Sequence, residues 1–195
     1  RNCYGLSTVG ELASECGYGG MHTISDKHIF GVIDPETERA LPPGEEGELV
    51  VTSLIRRAIP KIRIRIGDIA KILPYQPCPC GRTHPKLSII RGRMSQLINV
   101  KEKRFFPVEV EEVVGGIPGL GYEYQIIRDK PELNRLVIKA EHEPEVKDLR
   151  ALANRVEEAL YKELGVESEA VLVPLGTIGH PLVKAQRVIT TYEKT

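Results

Sequence analysis

Lys61-Ile62-Arg63-Ile64-Arg65-Ile66-Gly67-Asp68 is the stretch on which the reading of this chain turns. Charged and apolar side chains alternate over residues 61–66. Successive side chains of a strand point to opposite faces, so period two predicts a strand with one buried face. Residues 69–73 continue the β character. Upstream, residues 48–54 (ELVVTSL) and 28–34 (HIFGVID) read as an antiparallel strand pair, joined by the Pro/Gly/Glu-rich turn segment 35–47. Downstream, residues 74–85 are dense in Pro, Cys and Gly and are expected to form a loop. No strand or helix is read at Arg1-Asn2-Cys3-Tyr4-Gly5. This opening, without an initiator Met, is what a piece of a longer protein would show.

Beyond Arg93 the pattern changes. Residues 97–100 and 104–106 read as short strands around a charged turn, 101–103. Pro107 suits a first helical position, where its missing N–H has no partner to lose. Residues 108–114 follow as helix, stopped by Gly115-Gly116. Residues 122–128 and 136–141 alternate as strands. Residues 145–164 form the clearest helix, because Val146, Leu149, Leu152, Ala153, Val156 and Leu160 step by three or four and make one stripe. Gly165 is its expected C-cap, and residues 170–173 are a last strand. The order β-β-α-β-β-α-β predicts helices on one face of a mostly antiparallel sheet. The fold class is therefore α+β: a distorted antiparallel β subdomain over residues 1–92, then a small α+β C-terminal domain over residues 93–195.

Composition narrows the class of partner. A hydrophobic content of 41% and a charged content of 28% place the chain among globular proteins rather than disordered ones. Formal net charge is zero, which leaves no basic excess for nucleic acid or an anionic membrane. No apolar run approaches the roughly 20 residues of a membrane span, and residues 1–20 lack the apolar core of a signal peptide. Four cysteines in such a chain fit a reduced, cytoplasmic setting, where they bind metal or stay free.

Four short stretches, in order, carry a family resemblance. Tyr4-Gly5-Leu6-Ser7 resembles the Tyr-Gly-x-Ser/Thr-Glu motif of adenylate-forming enzymes. Ile62 to Asp68 resembles their Tyr-x-Thr-Gly-Asp motif. Arg91-Gly92-Arg93-Met94-Ser95 resembles their Gly-Arg-x-Asp-Asp hinge segment, and Val183-Lys184-Ala185-Gln186-Arg187 their terminal Gly-Lys-x-x-Arg motif. The text between them, Ile33-Asp34-Pro35-Glu36-Thr37, Gly44 to Val50 and Cys78-Pro79-Cys80-Gly81-Arg82-Thr83-His84-Pro85, is similar to the phenylacetate–CoA ligase branch, which includes the coenzyme F390 synthetases. The resemblance spans essentially the whole chain. It implies the C-terminal portion of an enzyme that joins a small carboxylic acid to ATP, releases pyrophosphate, and passes the acyl group of the acyl-adenylate to CoA, as in phenylacetate catabolism. The Ser/Thr/Gly-rich loop that holds the ATP phosphates in that family does not occur in these residues, so they are expected to be inactive alone.

Carried over residue by residue, Lys184 would bridge carboxylate and phosphate oxygens as a cation on a long stem. Asp68 would accept the ribose hydroxyls of ATP or AMP, since a carboxylate can take two O–H donors. Arg93 would also reach the ribose, Tyr4 would lie flat on the adenine, and Gly5 and Ser7 would complete that nucleotide-binding turn. Ser95 takes the hinge position about which the C-terminal domain turns between half-reactions. Each has a plainer reading: a solvated lysine, a turn aspartate, a surface arginine, a packing tyrosine. Four positions depart from the family: Ser95 itself stands where the family has Asp or Lys, and three more differ. Thr8 stands where a Glu holds Mg2+, Val183 replaces the first Gly of the terminal motif, and Glu102 replaces a Gly near the CoA-binding turn. They keep two alternatives in view: an adenylyltransferase of the coenzyme F390 synthetase type, on whose turnover CoA has no effect, and a non-catalytic, zinc-stapled binding module.

The cysteines carry a separate signal. Cys78 and Cys80 lie in one Pro/Gly loop, Cys16 and His22 in another Gly-rich segment. Tetrahedral Zn2+ takes four N or S ligands, commonly from loops, and Cys16, His22, Cys78 and Cys80 make such a set, with His84 as a rival ligand. Free thiols beside a polar histidine are the alternative. Cys3 reads as a buried thiol, and His28, His142 and His180 as surface residues. Exposed β-edges could pair two chains into a homodimer.

Overall fold

A computed structural model describes residues 1–179 and 186–192. The chain divides into two compact units, Arg1–Ser95 and Gln96–Thr195. The division lies three residues beyond the expected 92/93 boundary.

The first unit is all β. One sheet contains β1 (Cys3–Leu6), β2 (Gly10–Glu15), β3 (Met21–Thr23) and β7 (Lys86–Leu87), every pairing antiparallel. The second contains β4 (His28–Ile33), β5 (Gly47–Ser53), β6 (Ile64–Ala70) and β8 (Gly92–Arg93), again antiparallel throughout. Their inner faces share an apolar interior in which Ala13 and Leu87 of the first sheet meet Val32, Leu49 and Ala70 of the second. A smaller cluster joins Val9 and Leu12 to Val51. The segment 74–85 is a loop, as its composition predicts.

The deciding alternation is shorter in space than in sequence. β6 begins at Ile64, not Lys61. Arg63 adopts a positive φ of 45°, a conformation that interrupts a strand, and its N–H is held by the Thr52 hydroxyl. Ile62 is accordingly 71% exposed. The chain start corrects a second expectation. Residues 3–6 are a strand, with a register irregularity between Tyr4 and Gly5, and Cys3 is exposed rather than buried.

The second unit opens with a two-stranded ribbon, β9 (Ile98–Val100) and β10 (Lys103–Phe105). Helix α1 (Pro107–Val114) starts at its proline, and the Glu109 carboxylate accepts the Phe106 N–H. A four-stranded sheet follows in the order β13 (Ser168–Pro174), β12 (Leu136–His142), β11 (Leu120–Arg128), β14 (Val188–Thr190). Its central pair is antiparallel, and both outer strands join in parallel. Helix α2 spans Leu149–Leu164. It starts four residues later than the periodicity suggests, because the Asp148 carboxylate accepts the Ala151 N–H and sets the first turn there. Val110, Val114, Val156 and Leu160 from the helices pack with Ile126, Leu136 and Ile138 from the sheet. Among the described residues, no helix is long and apolar enough to cross a membrane.

Candidate functional site

Both candidate sites described here lie within the first unit. Asp68 stands on β6 directly opposite Arg93 on β8. This register puts the guanidinium on the carboxylate: Arg93 Nε donates to Asp68 Oδ1 at 3.0 Å. The other oxygen, Oδ2, accepts the Tyr4 hydroxyl at 2.5 Å, across from the first sheet. The Asp68 side chain is 5% exposed, while that of Arg93 is half exposed. Residues from two other motifs, Tyr4 and Arg93, therefore converge on the Asp68 carboxylate. Burial, the bond to Asp68 and that carboxylate's charge raise the Tyr4 pKa far above the usual phenol value, so the phenol is a donor across the neutral range.

The local chain explains the placement. A Cβ on Gly5 would lie 2.7 Å from the Gly10 carbonyl oxygen, so only glycine lets β1 approach the turn beside it this closely. Gly67 has φ near 79°, open to glycine, just before Asp68. Glu48 is a residue the sequence reading missed. Its buried carboxylate accepts Arg65 Nε at 2.8 Å and the Gly67 N–H at 3.1 Å. It thereby fixes the backbone entering Asp68. A charged residue opening the apolar run Leu49-Val50-Val51 was the available signal.

Other expected residues fall elsewhere. Ser7 and Thr8 lie exposed in the turn after β1. Thr8 offers a neutral hydroxyl where Mg2+ prefers anionic oxygen, and Glu11, the nearby carboxylate, is an exposed residue of β2. Ser95 is exposed in a single 3-10 turn, Met94–Gln96, at the end of the first unit. Lys184, Val183 and His180 lie outside the described residues. Arg187, closing the same motif, is placed in the second unit. Its guanidinium bonds Glu123 at 2.7 Å and stacks 4.5 Å from the Tyr124 ring centre. Glu102 is exposed in the turn between β9 and β10.

The Cys/His reading converges too. The ligand atoms of Cys16, His22, Cys78 and Cys80 all lie within 4.8 Å of one another. Cys16 Sγ to Cys78 Sγ is 3.8 Å, and Cys80 Sγ to His22 Nε2 is 3.4 Å. A tetrahedral zinc with ordinary bond lengths has edges of about 3.8 Å between sulfurs and about 3.5 Å between sulfur and nitrogen. The donors fit that ion. His22 Nδ1 is engaged by the His84 backbone oxygen at 3.0 Å, which turns Nε2 toward the thiols. His84 stands outside the four mutually close donors; its main-chain oxygen holds the His22 ring, and its own Nδ1 bonds the Thr23 carbonyl. The backbone N–H of Cys80 and then the His22 side chain bring the Cys78 thiol down to about 6, favouring the thiolate that metals bind. His28, read as a surface residue, is buried instead, with Nε2 on the Glu11 carbonyl.

The chain is similar to known proteins. The AMP-binding enzyme C-terminal domain family model matches residues 103–191. The phenylacetate-coenzyme A ligase of Thermus thermophilus is 32% identical over 197 residues, covering 90% of this chain and 44% of that protein. The phenylacetate-coenzyme A ligase of Aromatoleum evansii is 32% identical over 198 residues, covering 95% of this chain and 44% of that protein. The chain thus spans under half the length of these curated relatives. A crystal structure of 2-hydroxyisobutyryl-CoA ligase in the postadenylation state, in complex with R3-HIB-AMP, superposes with a TM-score of 0.87 at 25% identity, over 96% of this chain and 42% of that one. Residues 103–191 are an AMP-binding enzyme C-terminal domain, and the chain belongs to the adenylate-forming family that includes the phenylacetate-coenzyme A ligases.

Proposed function

We propose that this chain is the AMP-ribose-holding and C-terminal part of an ATP-dependent acid–CoA ligase acting on a small carboxylic acid. The observation that carries this reading is the buried Asp68 carboxylate held between Tyr4 and Arg93, in a chain related to phenylacetate-coenzyme A ligases over 90% of its length. In the first half-reaction the acid's carboxylate attacks the α-phosphorus of ATP, and pyrophosphate leaves with the bonding electrons. Lys184 is the cation proposed to neutralise the two anions as they meet. Asp68 and Arg93 hold the ribose, and Tyr4 lines the nucleoside. In the second half-reaction the CoA sulfur attacks the acyl carbon, AMP departs, and the thiol proton is released. Ser95 is the proposed pivot between them. The Cys16, His22, Cys78, Cys80 set would hold Zn2+ with four protein ligands. The ion would cross-link the loop 74–85 to β2 and β3 and would take no part in the reaction.

ATP–pyrophosphate exchange by the longest chain the gene encodes, across aryl and aliphatic acids, tests the reading. Acid-dependent exchange followed by acyl-CoA formation is expected. Exchange without any dependence of turnover on CoA would favour an adenylyltransferase. No exchange with any acid, by a folded protein, would favour a binding module. The 195 residues alone are expected to give no acyl-CoA, so acyl-CoA formation by them would overturn the division of labour proposed here.

A further inference from the structure

Tyr4 does something that stacking on a base does not require. Its hydroxyl reaches from the first sheet of its unit to the second and donates to Asp68 Oδ2 at 2.5 Å, 64 positions along the chain. Arg93 occupies the other oxygen. We propose that Tyr4 is a positioning residue for nucleotide selection: its phenol oxygen, as distinct from its ring, locks Asp68 in the orientation that accepts both hydroxyls of a ribose. The inference rests on the ligase reading, in which Asp68 meets the ribose.

An ionised carboxylate offers about four acceptor positions, two on each oxygen. Among the described residues Asp68 has one partner on each oxygen, which leaves one acceptor position on each. Two donors on adjacent carbons match that pair, and a single hydroxyl does not. The match holds only while the carboxylate plane is fixed. The last torsion of an aspartate is broad and roughly two-fold, so its own preference fixes it weakly. Tyr4 and Arg93 hold it from opposite ends. Arg93 is tied to its place by strand register. Tyr4 is delivered by the irregularity after it and by the close packing of Gly5 on Gly10. The phenol also supplies a neutral donor to a carboxylate that is 5% exposed, where a missing donor leaves a poorly solvated oxygen. A site organised around two hydroxyls discriminates strongly against a ligand lacking one, because its polar groups are then unpaired.

The test is Tyr4→Phe in the longest chain the gene encodes, read by pyrophosphate exchange with ATP, 2′-deoxyATP and 3′-deoxyATP, beside wild type and Asp68→Ala. Tyr4→Phe keeps the ring and removes the oxygen. A hydrogen bond to a charged group corresponds to roughly tenfold or more in affinity. The expected result is a KM for ATP raised about that much, with kcat within about twofold, and a loss of preference for ATP over both deoxy analogues. Unchanged KM and unchanged preference would overturn the proposal, as would a fall in kcat at constant KM. The wild-type protein supplies a second arm that needs no folded variant: if it accepts both deoxy analogues as well as ATP, the diol-directed lock is refuted. Wild-type behaviour in Asp68→Ala, or absence of exchange in wild type, would instead remove the ligase reading and this inference with it. A wild-type preference for ATP over both analogues that Tyr4→Phe retains would remove the inference and leave that reading standing.

Discussion

The two units solve the problem of staying folded differently. Among the described residues of 96–195, two helices and six strands bury one apolar cluster, with Ile126, Ile138, Val156 and Leu160 wholly inside. In residues 1–95 the strands are short and the apolar interior is divided into two smaller clusters. What joins distant segments there is polar: Tyr4 and Arg93 on Asp68, Arg65 on Glu48, and the Cys16, His22, Cys78, Cys80 set. The difference teaches where a site can be built. Polar groups that must face a ligand cannot also be the oil of a core, so the unit carrying the candidate nucleotide contacts leans on ion pairs and on the Cys/His cluster. The helical unit relies chiefly on buried area, with the Arg187–Glu123 pair beside it.

The largest effect that would break this comparison is expected from removing the zinc proposed for the Cys16, His22, Cys78, Cys80 set. Structural zinc contributes about 10–16 kcal/mol in small zinc-dependent peptides, and less where other contacts support the fold. Chelation of the purified protein is expected to release about one zinc per chain. Amide exchange should rise in segments 16–23 and 78–87 while residues 96–195 stay protected. Cys78→Ser should reproduce that pattern. Equal protection with and without chelator would mean that the first unit needs no staple, and the contrast would fail.

A smaller effect sharpens the other half. Leu160 is fully buried in the second unit's cluster, and Leu160→Ala is expected to cost about 2–5 kcal/mol, through lost burial and the cavity left behind. Urea denaturation should show a midpoint shift of that size, with zinc content unchanged. A shift below about 1 kcal/mol would mean that the apolar cluster is not what holds this unit.

Much of this contrast was legible in the sequence, and the gaps have physical causes. The strands of β4 and β5 stood out because β-branched and aliphatic residues run together between turn segments. The Cys/His set was legible because few residue types bind zinc and all four stand in or beside Gly- or Pro-rich stretches of sequence. The choice of His22 over His84 was not, since it depends on which ring the fold sets among the thiols. Strands β1 to β3 escaped notice because each is short and carries few apolar or β-branched side chains, too few to show a period. Buried polar residues were the blind spot. Glu48 and His28 look like surface residues one at a time, and only the fold reveals Arg65 beside the first and the Glu11 carbonyl beside the second. Lys184 carries its assignment on motif alone.

The smallest effect concerns where a helix begins. Apolar periodicity extends back to Val146, yet α2 starts at Leu149, because Asp148 satisfies the Ala151 N–H that would otherwise be unpaired at the helix end. Val146 belongs to the preceding turn, where its N–H meets the Glu143 carbonyl and its side chain closes over Gly119. A cap and a stripe thus compete for the same residues, and the cap prevails because an unpaired amide is dearer than one exposed aliphatic step. Asp148→Ala is expected to cost about 1 kcal/mol and to raise amide exchange in the first turn of α2. Asp148→Asn, which keeps the acceptor oxygen without its charge, should recover most of that loss. A full loss in both variants would assign the effect to charge at the helix N-terminus rather than to the hydrogen bond. The second unit would then share the first unit's dependence on electrostatics more than its core suggests.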